Sequence, residues 1–246
     1  MLFEELGFRY FGPIDGHNLS ELVSTLDRIK DLKNPVLLHV LTKKGKGMVS
    51  TNVDDEYYLD AVKFHAVKPS KQPIDKIETT QPSVSAPVFQ DVFGAIACEV
   101  ARNRDDTVCI TAAMREGTGL VPYAKEFKDR YYDVGIAEGH GVTFAAGLAT
   151  QNVRPIVAIY STFLQRAYDH IVHDAAIQHL PVVFCMDRAG IAGEDGPTHH
   201  GALDIAYLKC VQDLVVTAPK DGNELRNLLY TGLDYSKGPF SIRYPK

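Results

Sequence analysis

RYYDVGIAEGHGVTFAAGLATQNVRPIVAIY, residues 130–160, decides the fold. It opens on a short β-prone run at 130–134, turns at Gly135, and continues over 137–149 as an Ala/Gly-rich helix. It closes on 154–160, another strand, apolar after Arg154. A strand, a helix and a strand within so short a span make a βαβ unit, whose two strands lie parallel.

The same alternation extends in both directions. Before it, a helix over 88–102 precedes a strand at 107–112. After it come a helix over 166–179, strands at 181–186, 214–217 and 239–243, and a helix over 222–233 between the last two. The pattern predicts an α/β fold, a doubly wound and mostly parallel sheet, over residues 88–246. Ligands of such sheets collect at the carboxyl ends of the strands, here the segments that start at Ala113, Gly135, Ser161, Arg188 and Tyr244.

Upstream, residues 68–87 read KPSKQPIDKIETTQPSVSAP, with four prolines and no period, a linker. Residues 1–67 form a second, smaller α/β block. An aromatic run, Phe8 to Phe11, ends at Gly12-Pro13, and Asp15 to Asn18 supplies turn and cap residues. Leu19, Leu22, Val23, Leu26 and Ile29 then keep helical spacing before a strand at 36–41. A block of this size buries too little to stand well alone.

Composition sets outer limits. The 246 residues are 45% apolar and 23% charged, as in globular proteins. The formal net charge of −5 argues against a nucleic-acid partner, which calls for a basic face. No apolar run approaches the roughly 18 residues of a membrane span, and the opening MLFEELGFRY has no secretory character. Cys98, Cys109, Cys185 and Cys210 are widely spaced in apolar surroundings, which predicts buried reduced thiols and a cytoplasmic protein.

Glu138 follows a strand and a glycine turn and lies in the first turn of a helix. It either answers the helix dipole or, desolvated by a close neighbour along Gly141, Thr143, Ala145, Ala146, Gly147 and Ala149, shares a proton with an aromatic ring nitrogen. The loop GIAGEDGPTHHG, residues 190–201, holds Asp195 and the adjacent pair His199 and His200. Adjacent histidines do not readily reach one metal, and no Cys or carboxylate cluster follows at ligand spacing, so no metal site is expected. Acid–base work, or contact with a phosphate or carbonyl, competes there with a plain surface loop. YSTFLQR, residues 160–166, runs from a strand end into a helix start, with Phe163 either packed or presented. Arg188 offers a fork for phosphate, or an ion pair with Asp187 or Asp195. TKKGKG at 42–47 brings cations and glycines to a strand end without Walker A spacing, and no G-x-G-x-x-G occurs to support a dinucleotide site.

Ten runs in order, FGPIDGHNL, LTKKGKG, FHAV, ITAAMREGTGL, DVGIAEGH, VTFAAGLA, IVAIYSTFLQRAYD, DRAGI, DGPTHHGA and RYP, resemble the 1-deoxy-D-xylulose-5-phosphate synthases, transketolase-like enzymes. They leave out little beyond the linker and residues 51–63. The resemblance implies a transferase that uses thiamine diphosphate and Mg²⁺ to decarboxylate pyruvate and pass the two-carbon acetyl unit to glyceraldehyde 3-phosphate. It also implies a homodimer, or a chain completed by a second one. Carried over by position, Glu138 would hold the aminopyrimidine ring nitrogen and Phe163 would stack on that ring, with Arg166 and Met48 near the cofactor. His199 and His65 would move protons and touch substrate, supported by Asp195 and Tyr160, while Arg188, Tyr160 and Lys246 would receive the acceptor's phosphate. Residues 1–67 would correspond to the tail of the diphosphate-binding domain and 88–246 to the pyrimidine-binding domain.

The sequence departs from the family pattern in places. Gly139 stands for a glutamine, Gly141 for an alanine, Arg115 for a proline, Met48 for a tyrosine and Lys246 for an arginine. The family's G-D-G metal motif does not occur, so the resemblance places the Mg²⁺ ligands in an upstream domain and implies weak cofactor binding by this chain alone. Two alternatives stay open: a subunit of another thiamine-diphosphate enzyme that works with a separate chain, and a non-catalytic module on the same fold.

Overall fold

The computed structural model describes residues 2–46 and 87–246, and the chain divides into two compact units, Met1–Gln81 and Pro82–Lys246. Met48, His65 and nearly all of the expected linker at 68–87 lie outside the described residues.

The first unit begins with a short helix, α1 (Leu2–Glu5), and then forms β1 (Arg9–Asp15), α2 (Leu19–Ile29) and β2 (Val36–Leu41). β1 and β2 pair in parallel from Arg9 opposite Val36, as the strand–helix–strand reading predicts. The strand does not end at Gly12-Pro13. It runs on to Asp15, with a register shift between Phe11 and Ile14 that accommodates a proline lacking an N–H. Asn18 caps α2, its side chain accepting from the Glu21 N–H at 3.3 Å. Only Thr25 and Ile29 of α2 are buried.

The second unit is a six-stranded parallel sheet in the order β4-β3-β5-β6-β8-β7. In chain order its elements are α3 (Phe89–Asn103), β3 (Thr107–Thr111), α4 (Val121–Glu126), β4 (Tyr131–Asp133), α5 (Glu138–Ala149) and β5 (Arg154–Tyr160). Then come α6 (Ser161–Leu164), α7 (Tyr168–His170), β6 (Val183–Asp187), α8 (Asp204–Leu208), β7 (Val215–Thr217), α9 (Gly222–Asp234) and β8 (Phe240–Arg243). Successive strand residues point to opposite faces, and here both faces are apolar. Cys109, Ile156, Ala158, Val183, Cys185, Phe240 and Ile242 meet Phe93, Ile96 and Val100 of α3 and Leu225, Leu229 and Leu233 of α9. Ile110, Val157, Ile159, Phe184 and Met186 meet Val142, Ala145 and Ala149 of α5, with Ile171 and Leu208. This is the doubly wound arrangement expected, with strand ends within a residue or two of the sequence reading.

Three expectations need correction. The helix read over 166–179 starts at Ser161 and is not one α-helix: α6 passes through a 3-10 turn (Gln165–Ala167) and α7 into a π turn (Ile171–Ala176). α4 and α8, one to two turns each, are additional. Cys98, Cys109 and Cys185 are buried free thiols, but Cys210 is exposed. Among the described residues no helix is long and apolar enough to cross a membrane.

Gly94 of α3 lies so close to the loop after β3 that a Cβ there would stand 2.1 Å from the Gly119 carbonyl oxygen. Gly147, on the exposed side of α5, has nothing within 4 Å of an added Cβ. Gly94→Ala should therefore lower stability by about 1–3 kcal/mol, whereas Gly147→Ala should raise it by up to about 1 kcal/mol. Urea unfolding of both variants checks this.

Candidate active site

Parallel pairing puts the carboxyl ends of β3, β4, β5, β6 and β8 on one edge of the sheet, and Tyr160, Arg188 and the segments that carry Glu138 and His199 follow those ends. At the end of β4, Asp133 Oδ1 accepts from the N–H groups of Ala113 at 2.8 Å and Gly135 at 3.0 Å. That clamp fixes the turn at Gly135, whose φ of +70° suits glycine, and aims the chain into α5. Glu138, the first residue of α5, is 4% exposed. Its Oε1 accepts from Arg166 Nη1 at 2.7 Å, so the carboxylate faces a cation as well as the helix start.

Arg166 also lies over the Phe163 ring, 5.0 Å from its centroid. Phe163 stacks on Tyr160 at 5.6 Å and an interplanar angle of 15°, and His199 meets Phe163 edge-on at 5.3 Å and Tyr160 at 6.4 Å. Glu138, Arg166, Phe163, Tyr160 and His199 thus form one continuous cluster. The loop bearing His199 is closed at its neck by reciprocal hydrogen bonds between Gly190 and Gly201, each 2.8 Å. His200 braces that loop from inside, its Nδ1 accepting from the Ala192 N–H at 3.0 Å.

A second cluster shares Tyr160. The Arg188 guanidinium lies 4.1 Å from the Tyr160 ring centroid. Its Nε donates to Asp195 Oδ2 at 3.1 Å, and its Nη1 donates to Gln90 Oε1 at 3.1 Å and to the Gly117 carbonyl at 2.6 Å. Both ion pairs considered from the sequence are present, since Asp187 Oδ1 also lies 3.1 Å from Nη1. Lys246 Nζ donates to Asp195 Oδ1 at 2.8 Å. Burial pushes the Asp195 carboxyl upward, but the hydrogen bonds from Lys246 and Arg188 outweigh it and hold it below the usual carboxylate range. Burial raises the Tyr160 phenol to about 12 against the opposing charge of Arg188, so it stays a neutral hydroxyl. Arg115 is outside both clusters, paired with its neighbour Glu116 at 2.9 Å.

Several contributors were not legible in the sequence. Gln90 and Gly117 reach Arg188 from segments far away in the chain, one of them through a carbonyl that every residue possesses. Gly117 is needed for another reason, because a Cβ there would lie 1.8 Å from the Tyr160 hydroxyl. His170, four residues after Arg166, occupies the space beside Gly139. A Cβ at 139 would be 2.7 Å from its Cε1, and its buried Nδ1 has no hydrogen-bond partner. That spacing of four is the signal available beforehand, because it puts both side chains on one helical face. Among the described residues no group of three or more His, Cys, Asp or Glu side chains is placed to hold a metal ion. A cavity of about 520 Å³ lies elsewhere, at the β7 edge between Lys209, Leu214, Val216 and Arg243, and includes none of these residues.

Comparison with known proteins agrees with this fold. Residues 85–246 match the family described as the transketolase pyrimidine-binding domain, and residues 1–42 match the family described as 1-deoxy-D-xylulose-5-phosphate synthase. The 1-deoxy-D-xylulose-5-phosphate synthase of Aquifex aeolicus is 55% identical over 246 residues, all of this chain and 38% of that protein. The Thermomicrobium roseum synthase is 53% identical over all of this chain and 37% of its own length. The chain therefore spans well under half of these curated relatives. Among solved structures, a split-gene transketolase described as an inactive beta4 tetramer aligns with a TM-score of 0.56 at 25% identity, over 64% of this chain and 51% of that one. A Pichia stipitis transketolase with sedoheptulose 7-phosphate aligns at 0.58 and 19% identity, over 66% of this chain and 26% of its own, and shows the fold.

The space around α5 gives a paired expectation. A Cβ at Gly141 would meet only ordinary contacts, Val134 at 3.4 Å being the nearest, whereas one at Gly139 would overlap His170. Gly141→Ala should be neutral or stabilising by up to about 1 kcal/mol. Gly139→Ala should cost about 1–3 kcal/mol, and adding His170→Ala should recover most of that loss. Thermal melts of the three variants and the double variant test the coupling.

Proposed function

The chain belongs to the transketolase pyrimidine-binding family and matches 1-deoxy-D-xylulose-5-phosphate synthases along its whole length, and from that premise we propose that it forms the pyrimidine half of such an active site. The reaction is decarboxylation of pyruvate and transfer of the two-carbon acetyl unit to glyceraldehyde 3-phosphate. The observation that carries the reading is the buried carboxylate of Glu138 in the first turn of α5, beside the Phe163 ring. An acid and an aromatic platform side by side are the donor set that an aminopyrimidine requires, so the residues fit thiamine diphosphate. When bound, that cofactor supplies the electron sink for decarboxylation.

The protein's own work is placement and charge. Glu138 holds a pyrimidine ring nitrogen and moves a proton there, Arg166 keeps the carboxylate in position, and Phe163 covers one ring face. Burial in the first turn of α5 supports this by shielding the carboxylate from water. His199, on the same aromatic stack, exchanges protons with substrate, supported by Asp195 and Tyr160; the roles that the resemblance implies for His65 and Met48 fall on residues outside those described. Arg188, Tyr160 and Lys246 take the acceptor's phosphate, since a guanidinium fork and an ammonium suit a divalent anion. Mg²⁺ is assigned to residues other than those described. Free thiols at Cys98, Cys109 and Cys185 suit a cytoplasmic protein.

The likeness to a split-gene transketolase favours a second reading, in which a separate chain brings the diphosphate half; a homodimer is the first. The test is deoxyxylulose phosphate formation from pyruvate and glyceraldehyde 3-phosphate with thiamine diphosphate and Mg²⁺. It is run with the chain alone and with the diphosphate half of a relative added. Glu138→Ala should lower the turnover by about a hundredfold or more. Turnover unchanged by that substitution sinks the assignment.

A further inference from the structure

Asp187 takes no part in the scheme above, yet it ends β6 directly opposite Tyr160 and is fully buried. Its Oδ1 accepts from the Arg188 backbone N–H at 2.6 Å and lies 3.1 Å from Nη1 of the same residue. Arg188 has φ of +55°, a conformation that a side chain with a Cβ adopts only when held. The two contacts from one oxygen fix both the backbone and the guanidinium. The other oxygen, Oδ2, has no hydrogen-bond partner, and neither does the buried hydroxyl of Tyr244.

We propose that Asp187 is the positioning residue for Arg188: it locks the left-handed backbone and turns the guanidinium so that Nη2 remains the free edge for a divalent oxyanion. Nε and Nη1 are committed to Asp195, Gln90, Gly117 and Asp187, while Nη2 has no hydrogen bond to any described residue. The charged and titratable groups around Asp187 are Arg188, Tyr160 at the end of β5, Tyr244 after β8, and Asp195 with Lys246 beyond the guanidinium; His199 meets the far side of the Tyr160 stack. Burial raises the Asp187 carboxyl to about 6 against the charge of Arg188. It therefore takes up a proton just below neutrality, and one negative charge beside Arg188 disappears while Asp195 stays ionised.

The inference rests on Arg188 being the anion-binding group, and the experiment separates the two. Inorganic sulfate, which stays divalent, is titrated into the chain and followed by NMR between about pH 5 and pH 7.5, a range that brackets the Asp187 carboxyl. Sulfate should bind wild type more tightly as the pH falls through the Asp187 range. Asp187→Ala should weaken binding severalfold at all pH values. Asp187→Asn, which keeps an acceptor for the Arg188 N–H, should retain the affinity and lose the pH dependence. If Asp187→Ala does not fold, the Asn variant decides alone. Sulfate binding that survives Arg188→Ala ends the Arg188 reading and this one with it. Binding lost in Arg188→Ala, but with wild-type affinity and pH profile in both Asp187 variants, overturns the positioning role only. A pH slope that persists in Asp187→Asn assigns the titration to another group and likewise overturns it.

Discussion

β5 and β6 pair in parallel from Ile156 opposite Val183 to Tyr160 opposite Asp187, and that register decides which side chains meet beyond the sheet. It brings the first residues past each strand, Ser161 and Arg188, side by side at one edge. From there Tyr160 stacks on Phe163 in one direction and on Arg188 in the other. A slip of one residue would reverse the faces of β6 and bury Arg188 among apolar side chains. The apolar packing on both faces of these strands is what forbids the slip: Val183 and Cys185 belong to one core layer, Phe184 and Met186 to the other.

Charge at that edge is balanced locally. Arg188 and Lys246 face Asp187 and Asp195, two cations against two acids. A buried arginine with fewer partners would be costly, and one with its whole fork engaged would have nothing left for a ligand. Asp187 bears part of that cost. Because its folded carboxyl is raised above the ordinary value, the folded state favours its proton, and stability from this group falls as the pH rises from about 4 to about 6. Strain in the Arg188 backbone and an unpartnered oxygen lie in the same two residues, as expected where a site is held ready rather than relaxed.

Much of this was legible in the residues. Continuous apolar runs alternating with Ala-rich or amphipathic helices located the strands of the larger sheet and α2, α3, α5 and α9, because burial of those faces overrides local preference. The segment after β5 was misread for a local reason. Ser161 starts a helix with no side-chain cap, and its 3-10 and π turns preserve a helical repeat of apolar residues while changing the hydrogen bonds. α4 and α8 are too short to show a period. Glu138, Phe163 and Arg188 could be singled out because polar or aromatic residues at strand ends are unusual in otherwise apolar surroundings. Of their partners, Gln90 and Gly117 were hidden because they act through tertiary approach, whereas Asp187, next to Arg188 in the chain, was legible as an ion-pair alternative.

Glycine is the link between the two levels. Gly117 admits the Tyr160 hydroxyl, Gly201 admits Ser161 beside the Arg188 carbonyl, and Gly139 admits His170. In each case the missing side chain belongs to one segment and the group that fills the space to another. The meaning of such a glycine therefore lies in its partner. Arg166 and His170 approach Glu138 and Gly139 from one helical run, and Asp174 of that run accepts from Thr143 at 2.5 Å. The first turns of α5 are thus gripped at 138, 139 and 143 by three residues spaced four apart on the neighbouring run, 166, 170 and 174. Gly139, read alone as a weak spot in a helix, is the middle of that grip. The space left at 139 is filled by the His170 ring from the neighbouring segment, next to the residue that Arg166 holds.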